Sequence, residues 1–257
     1  MLNFKNTNII FLSLFFVLLT IHQWVGVDWY FYLLLFIVYS LIVFYGCYHI
    51  GSNFFIKIIC AADSKLNQIA ISFDDGPSVK YTTKILELLE AEKIEAVFFC
   101  IGNRIKGNEN IIQNIIAKGH IIGNHSYSHH FWFDMFSAKK MEQDLELMDT
   151  EIKKLTGLKL KFFRPPYGVT NPNLAKAIVK RGYIPIGWSV RSMDTISKKN
   201  DQYLQKIIAS IQPGAIFLFH DTALITLQEI RAFIEAVKKS GYTIVRLDKL
   251  LNIPPYA

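Results

Sequence analysis

The sequence predicts a parallel α/β sheet or barrel preceded by one or two membrane-spanning helices, and three observations point there. From Gln68 to the end, short β-like runs alternate with helix-like segments, as in strand–crossover–strand units. Residues able to do chemistry fall where those runs end: Asp74 and Asp75, the cluster around His125, Arg164, Asp194 and His220. In a parallel barrel such ends converge on one face. The first fifth of the 257-residue chain is apolar and nearly uncharged, whereas the remainder has an ordinary globular composition.

Trp29 to Tyr48 carries no charged residue and is long enough to cross a hydrocarbon core of roughly 30 Å as a helix. The preceding stretch, Asn8 to Val27, is apolar through Thr20 and then meets His22 and Gln23, so it reads as a first span or an uncleaved signal-like segment. A cleavable secretory peptide is disfavoured, because no small-x-small site follows Thr20 and the apolar pattern resumes after Asp28. Residues 1–60 are therefore assigned to a membrane anchor, with spans near 8–27 and 29–48, and residues 61–257 to one soluble domain able to bury a full core.

Seven β-like runs begin near Ile69, Ala96, His120, Lys161, Ile184, Ala215 and Thr243. Apolar-periodic segments between them include Thr82–Ala91, Ala138–Leu155, Asn173–Lys180, Gln202–Ile211 and Leu227–Lys238. Gly119, Gly182 and Gly241 stand where left-handed helix ends are expected. The Asn- and Gly-containing patch at 107–110 is too short to divide the domain.

A net charge of +7 favours a negatively charged membrane face or anionic envelope polymers. Without a clustered basic stripe, nucleic acid is not expected as a partner, and no protein partner is indicated. Cys47, Cys60 and Cys100 lack metal or redox spacing and read as small core or lipid-facing residues.

Asp74-Asp75-Gly76-Pro77 alone is compatible with a strand ending in a capped turn. In the functional reading, adjacent carboxylates at a strand end point to different sides, so that one binds a metal and the other stays free as a base. His125 and His129 can close on one ion as easily as they can be solvated loop histidines; His130 is an alternative to His129, which the i+4 spacing favours. Together these groups supply what a metal-dependent hydrolase needs: imidazoles and a carboxylate for the ion, and a second carboxylate beside the water.

The series Ser72-Phe73-Asp74-Asp75-Gly76-Pro77, His125-Ser126-x-x-His129, Arg164-Pro165-Pro166-Tyr167-Gly168, Asp194 and Leu218-Phe219-His220 resembles the motifs of the NodB-type polysaccharide deacetylases, carbohydrate esterase family 4. The likeness runs from about Gln68 to Leu250. It implies a distorted (β/α)7 barrel in which Asp75, His125 and His129 bind a divalent metal, usually zinc, and Asp74 is the general base. Arg164 would orient that base, the alternative being a surface salt bridge. The Tyr167 backbone N–H would help hold the oxyanion. His220, otherwise a buried structural histidine, would be the general acid, held protonated by Asp194.

The implied activity is hydrolysis of N-acetyl groups on an amino-sugar-containing envelope glycan: peptidoglycan, a chitin-like oligomer or a lipid-linked sugar. O-deacetylation of an esterified polysaccharide such as xylan shares this machinery, and a catalytically silent glycan-binding membrane protein is the reading from another class. One motif departs from the family. Where Asp-x-x-Asp-Trp is common, this chain has Arg191-Ser192-Met193-Asp194-Thr195, which removes the apolar wall beside the acetyl methyl; Trp188 or Phe131 could replace it. Arg191 is either a solvated side chain or the partner of an anionic substrate group, a phosphate or uronate. Lys5, Lys57 and Lys65 lie outside the short link carrying Asp28, which for a two-span hairpin directs the domain inward. An inward domain suits a lipid-linked sugar, an outward one a surface glycan.

Overall fold

A computed structural model describes residues 2–197 and 201–257. The strands are β1 (Gln68–Asp74), β2 (Val97–Cys100), β3 (Ile121–Asn124), β4 (Phe162–Phe163), β5 (Ile184–Pro185), β6 (Val190–Arg191), β7 (Ile216–His220) and β8 (Thr243–Ile244). They run in the order β5-β4-β3-β2-β1-β7-β6, with β8 beside the start of β1, and each pairing is parallel. Seven of the eight correspond to the expected runs; β6 has two residues and shows no periodicity to detect. Register sets the active level of the sheet: Asp74 lies opposite His220, and Asn124 opposite Phe163, so His125 and Arg164 leave β3 and β4 side by side.

Alternation along the strands makes two cores. Ala70, Val97, Phe99, Ile121, Phe162 and Ile216 face the barrel interior, while their neighbours Ile71, Phe73, Phe98, Cys100, Phe217 and Phe219 face the surrounding helices. Chain N-terminal to β1 completes the wall, because Ile59 bridges Ile186 beyond β5 and Ala61 bridges Ala215 before β7. Phe54 and Ile58 are buried with it.

Two helices precede the barrel, α1 (Phe4–Val25) and α2 (Trp29–Tyr48). The first starts earlier than the hydropathy suggests because Asn3 accepts the Asn6 N–H at 2.9 Å, a side-chain cap. Both are long and apolar enough to cross a membrane, with mean hydropathies of 1.8 and 2.1, and almost all of their surface is exposed. Their polar side chains pair within the hairpin: Tyr39 donates to Asn8 Oδ1 at 2.9 Å and Tyr32 to the Leu18 carbonyl at 3.2 Å. The hairpin is seated on the barrel. Phe4 N–H donates to the Phe54 carbonyl, Thr170 N–H to that of Cys47, both at 3.0 Å, and the Phe54 ring lies where a Gly46 Cβ would be.

The remaining helices are α3 (Thr82–Ala91), α4 (Glu109–Ala117), α5 (Ala138–Thr156), α6 (Pro172–Arg181), α7 (Asp201–Ile208), α8 (Leu224–Lys239) and α9 (Leu247–Leu251). Each of α3, α4, α5 and α8 buries an apolar face, for example Ile85, Leu86 and Leu89 of α3 and Ile230, Phe233, Ile234 and Val237 of α8. The short α4 and α9 are additions to the expected set. Gly182 caps α6 in the left-handed region, and Gly119 and Gly241 also have positive φ, as expected.

Candidate active site

The chemistry is assembled on the carboxyl-end face of the sheet, around a pocket of ≈ 200 Å³ lined by Asp74, Asp75, His125, His129, Trp188 and His220 among others. Asp74 is the last residue of β1 and Arg164 the first after β4. Arg164 is fully buried, and its Nη1 donates at 2.7 Å to both Asp74 Oδ1 and Ser72 Oγ, while Nη2 donates to the Gly187 carbonyl at 2.7 Å and Nε to that of Ile186 at 3.2 Å. Four of the five N–H donors of its planar fork are thus engaged, but Asp74 takes a single bond rather than the bidentate pair that suits arginine. Asp74 Oδ2 is left on the pocket side, 3.8 Å from His125 Nε2.

His125 donates from Nδ1 to the Arg164 carbonyl at 2.9 Å, which turns Nε2 into the pocket. From Asp75 Oδ1 it is 3.5 Å to His125 Nε2 and 3.3 Å to His129 Nε2, and one donor atom from each of the three residues lies within 4.8 Å of the others. Two ligands about 2.0–2.1 Å from one tetrahedral ion stand about 3.3–3.4 Å apart, so this donor set fits a divalent cation. Its electrostatics agree. Burial opposes ionisation of Asp75, yet the hydrogen bond from His125 and the charges of His125, His129 and His220 hold it well below the usual carboxylate range. Burial, with His125 beside it, pushes His129 down to about 4, leaving the neutral imidazole that a metal takes.

The loop that presents His129 is tied down from beneath. Asp144 of α5 accepts the N–H groups of Tyr127 at 2.7 Å and Ser128 at 3.2 Å, and Ser126 Oγ accepts the His129 N–H at 2.9 Å. Asp75, Ser126, His129 and Tyr167 all hold positive φ, a conformation uncommon outside glycine; three of them line the pocket and Ser126 bonds to His129 behind it.

Opposite the carboxylates stands His220, the last residue of β7. Its Nδ1 donates to Asp194 Oδ1 and its backbone N–H to Asp194 Oδ2, both at 2.6 Å; the Thr226 hydroxyl also donates to Oδ2. Burial alone would lower the His220 pKa, but the bond and charge of Asp194, aided by Asp74 and Asp75, raise it. Beneath the site lies Asp221, 1% exposed, whose Oδ2 accepts from Thr82 at 2.6 Å and whose Oδ1 has no partner among the described residues. Burial pushes its pKa up to about 7 against the Thr82 bond, with Asp75 and Asp74 adding to the rise. Gly76 gives this carboxyl its room, since a Cβ there would overlap it.

The family model for polysaccharide deacetylases matches residues 61–186. The peptidoglycan-N-acetylmuramic acid deacetylase PdaA of Bacillus subtilis (strain 168) is 31% identical over 218 residues, covering 82% of this chain and 78% of that protein. This chain belongs to the polysaccharide deacetylase family. A peptidoglycan-N-acetylglucosamine deacetylase of Bacillus cereus is 31% identical over 192 residues, covering 72% of the chain and 88% of that protein; of another from the same species, 32% identical, the chain spans 56%. Among solved structures, a peptidoglycan N-acetylglucosamine deacetylase superposes with a TM-score of 0.74 at 25% identity, covering 78% of this chain and 95% of that one. A family 4 pseudoenzyme from Bacillus anthracis superposes with a TM-score of 0.70 at 26% identity, covering 75% and 68%. The family is metal-dependent generally, and Asp75, His125 and His129 form a possible metal site here.

In this deacetylase the fold gathers all eight residues singled out in the sequence, Tyr167 included; its ring packs on His129 at 4.6 Å between centroids. His130 turns away, its Nδ1 accepting the Trp132 N–H at 3.0 Å. Of the two aromatic candidates for the missing wall, Trp188 lines the pocket, whereas Phe131 is 70% exposed and packs on Trp132. Arg164 is no surface salt bridge. Ser72, Asp144, Thr226 and Asp221 support the site without having been foreseen; a polar residue inside an apolar strand, such as Ser72, was the only signal available.

Proposed function

We propose that the protein is a membrane-anchored, metal-dependent N-deacetylase of an amino-sugar-containing envelope glycan. The observation that carries this reading is one pocket holding a three-donor metal group, a carboxylate with one free oxygen beside it, and a histidine hydrogen-bonded to a buried aspartate across from it. Asp75, His125 and His129 would hold the ion, with zinc the best match to two imidazoles and one carboxylate. When bound, it would supply a Lewis acid that lowers the pKa of a water and shares the charge of the oxyanion.

The chain's own groups divide the remaining work. Arg164, itself held by the Ser72 hydroxyl, fixes Asp74 through Oδ1 so that Oδ2 faces the nucleophilic water and takes its proton. The Tyr167 N–H points a fixed dipole at the developing oxyanion, and the left-handed backbone at Tyr167 sets its direction. His220 delivers a proton from Nε2 to the leaving nitrogen. An amine cannot depart unprotonated, while a sugar alkoxide needs less help, so a histidine kept charged by Asp194 favours N-acyl over O-acyl substrates. Acetate and an amino sugar would be the products.

Both N-terminal helices support an anchor role, since most of their large apolar side chains are exposed, among them Leu12, Phe16, Trp29, Phe36, Leu41 and Phe44. The test is acetate release from N-acetylglucosamine oligomers by the full-length protein. Release that chelator and Asp74→Asn both abolish supports the reading; no release from any N-acyl glycan would return the chain to the glycan-binding alternative.

A further inference from the structure

A second cavity of ≈ 630 Å³ adjoins the catalytic pocket, and its walls include Tyr48, His49, Tyr167, Trp188 and Arg191. Tyr167, Trp188 and Arg191 also line the catalytic pocket, so the two spaces share a wall. Tyr48 is the last residue of α2, and a helix of 20 residues is about 30 Å long, the thickness of a hydrocarbon core. With that helix in a bilayer, Tyr48 and His49 stand at headgroup level, where the Tyr45–His49 ring pair, 5.1 Å between centroids, suits the interface. The geometry is fixed rather than incidental. Thr170, three residues beyond Tyr167, bonds to α2 through its N–H to Cys47 at 3.0 Å and its hydroxyl to Gly46 at 3.2 Å.

The active site therefore abuts, across Tyr167, Trp188 and Arg191, a chamber whose far wall is the C-terminal end of α2. Arg191 supplies the charge there: it is exposed, its guanidinium stands 5.8 Å from the Trp188 ring, and it makes no salt bridge among the described residues. We propose that this chamber is the subsite for the phosphate or diphosphate of a polyprenol-linked N-acetyl amino sugar, with Arg191 receiving the anion and the acetamide reaching the catalytic pocket. The substrate would be drawn from the bilayer in which α1 and α2 sit. This inference rests on the N-deacetylase reading and names its substrate class.

The experiment compares three probes with the full-length protein in phospholipid-containing micelles: N-acetylglucosaminyl diphosphate polyprenol, UDP-N-acetylglucosamine and neutral N-acetylglucosamine oligomers, each scored by acetate release. The lipid-linked probe should exceed both others in kcat/KM by about tenfold or more, and Arg191→Glu should erode that preference by about tenfold, mainly through KM, with Arg191→Lys retaining part of it. Equal kcat/KM for the lipid-linked and neutral probes, or a preference that Arg191→Glu leaves intact, would overturn the subsite. UDP-N-acetylglucosamine as good as the lipid-linked probe would overturn its membrane source. Acetate from none of the three would instead defeat the deacetylase reading itself.

Discussion

Asp194 grips His220 at two points, one carboxylate oxygen on the imidazole Nδ1 and the other on the same residue's backbone N–H, both at 2.6 Å. The ring is thereby held in one orientation and one tautomer, with Nε2 presented to the pocket. A histidine that must donate a proton loses activity as pH rises through its pKa, and Asp194 is what raises that pKa.

Asp194→Asn should therefore move the alkaline limb of the pH–kcat/KM profile to lower pH and reduce kcat by about 100-fold or more. Profiles of the two proteins over the same buffers check this. An unshifted alkaline limb would remove His220 from the role of acid.

Arg164 is fully buried and pairs with Asp74, which is itself 3% exposed. Arg164→Met should cost about 3–5 kcal/mol in reversible unfolding, because it strands a buried carboxylate. The double variant Asp74→Asn/Arg164→Met should recover part of that loss. Additive losses would mean that the pair is not coupled.

Asp144 touches no reacting group, yet it carries the loop between His125 and His129 through two backbone N–H groups. Asp144→Ala should weaken metal affinity by about 10–100-fold, as removal of supports behind ligands does. Calorimetric titration of chelator-treated protein measures it, and unchanged affinity would show that the loop holds its shape unaided.

Asp221 gives a pH dependence of stability whose sign is defined. Its folded pKa of about 7 exceeds the ordinary carboxylate value of 3.8, so between those values the folded state holds a proton that the unfolded chain has lost. Stability then falls as pH rises from about 4 to about 7. Asp221→Asn has no such proton, and its Tm relative to wild type should rise across that window. Parallel Tm curves for chelator-treated proteins would contradict the assignment.

Much of the fold and of the site is legible in the sequence, and the remainder is hidden for physical reasons. Strands such as Gln68–Asp74 and Ile216–His220 announce themselves because burial on both faces demands a largely apolar run, and the reactive residues sit where those runs stop. Val190–Arg191 carries too few residues for any period, and Ile59 and Ala61 join the wall through isolated bridges next to the two apolar helices. Asp144 and Asp221 look like ordinary surface acids in the sequence. Only the fold shows one holding a ligand loop and the other buried against Gly76. Arg191 has two readings in the sequence, and the structure places it on the wall of a chamber it shares with Tyr48 and His49.

In the proposed site Asp75, His125 and His129 hold one ion while Asp74 stays free to take a proton. Zinc titration into chelator-treated, full-length protein tests it most directly, with each variant also assayed for acetate release. Wild type should bind one ion per chain, Asp75→Ala, His125→Ala and His129→Ala should each lose about 100-fold or more in affinity, and Asp74→Asn should keep the ion while losing activity. Full-affinity binding by all three alanine variants, or loss of the ion in Asp74→Asn, would contradict the account.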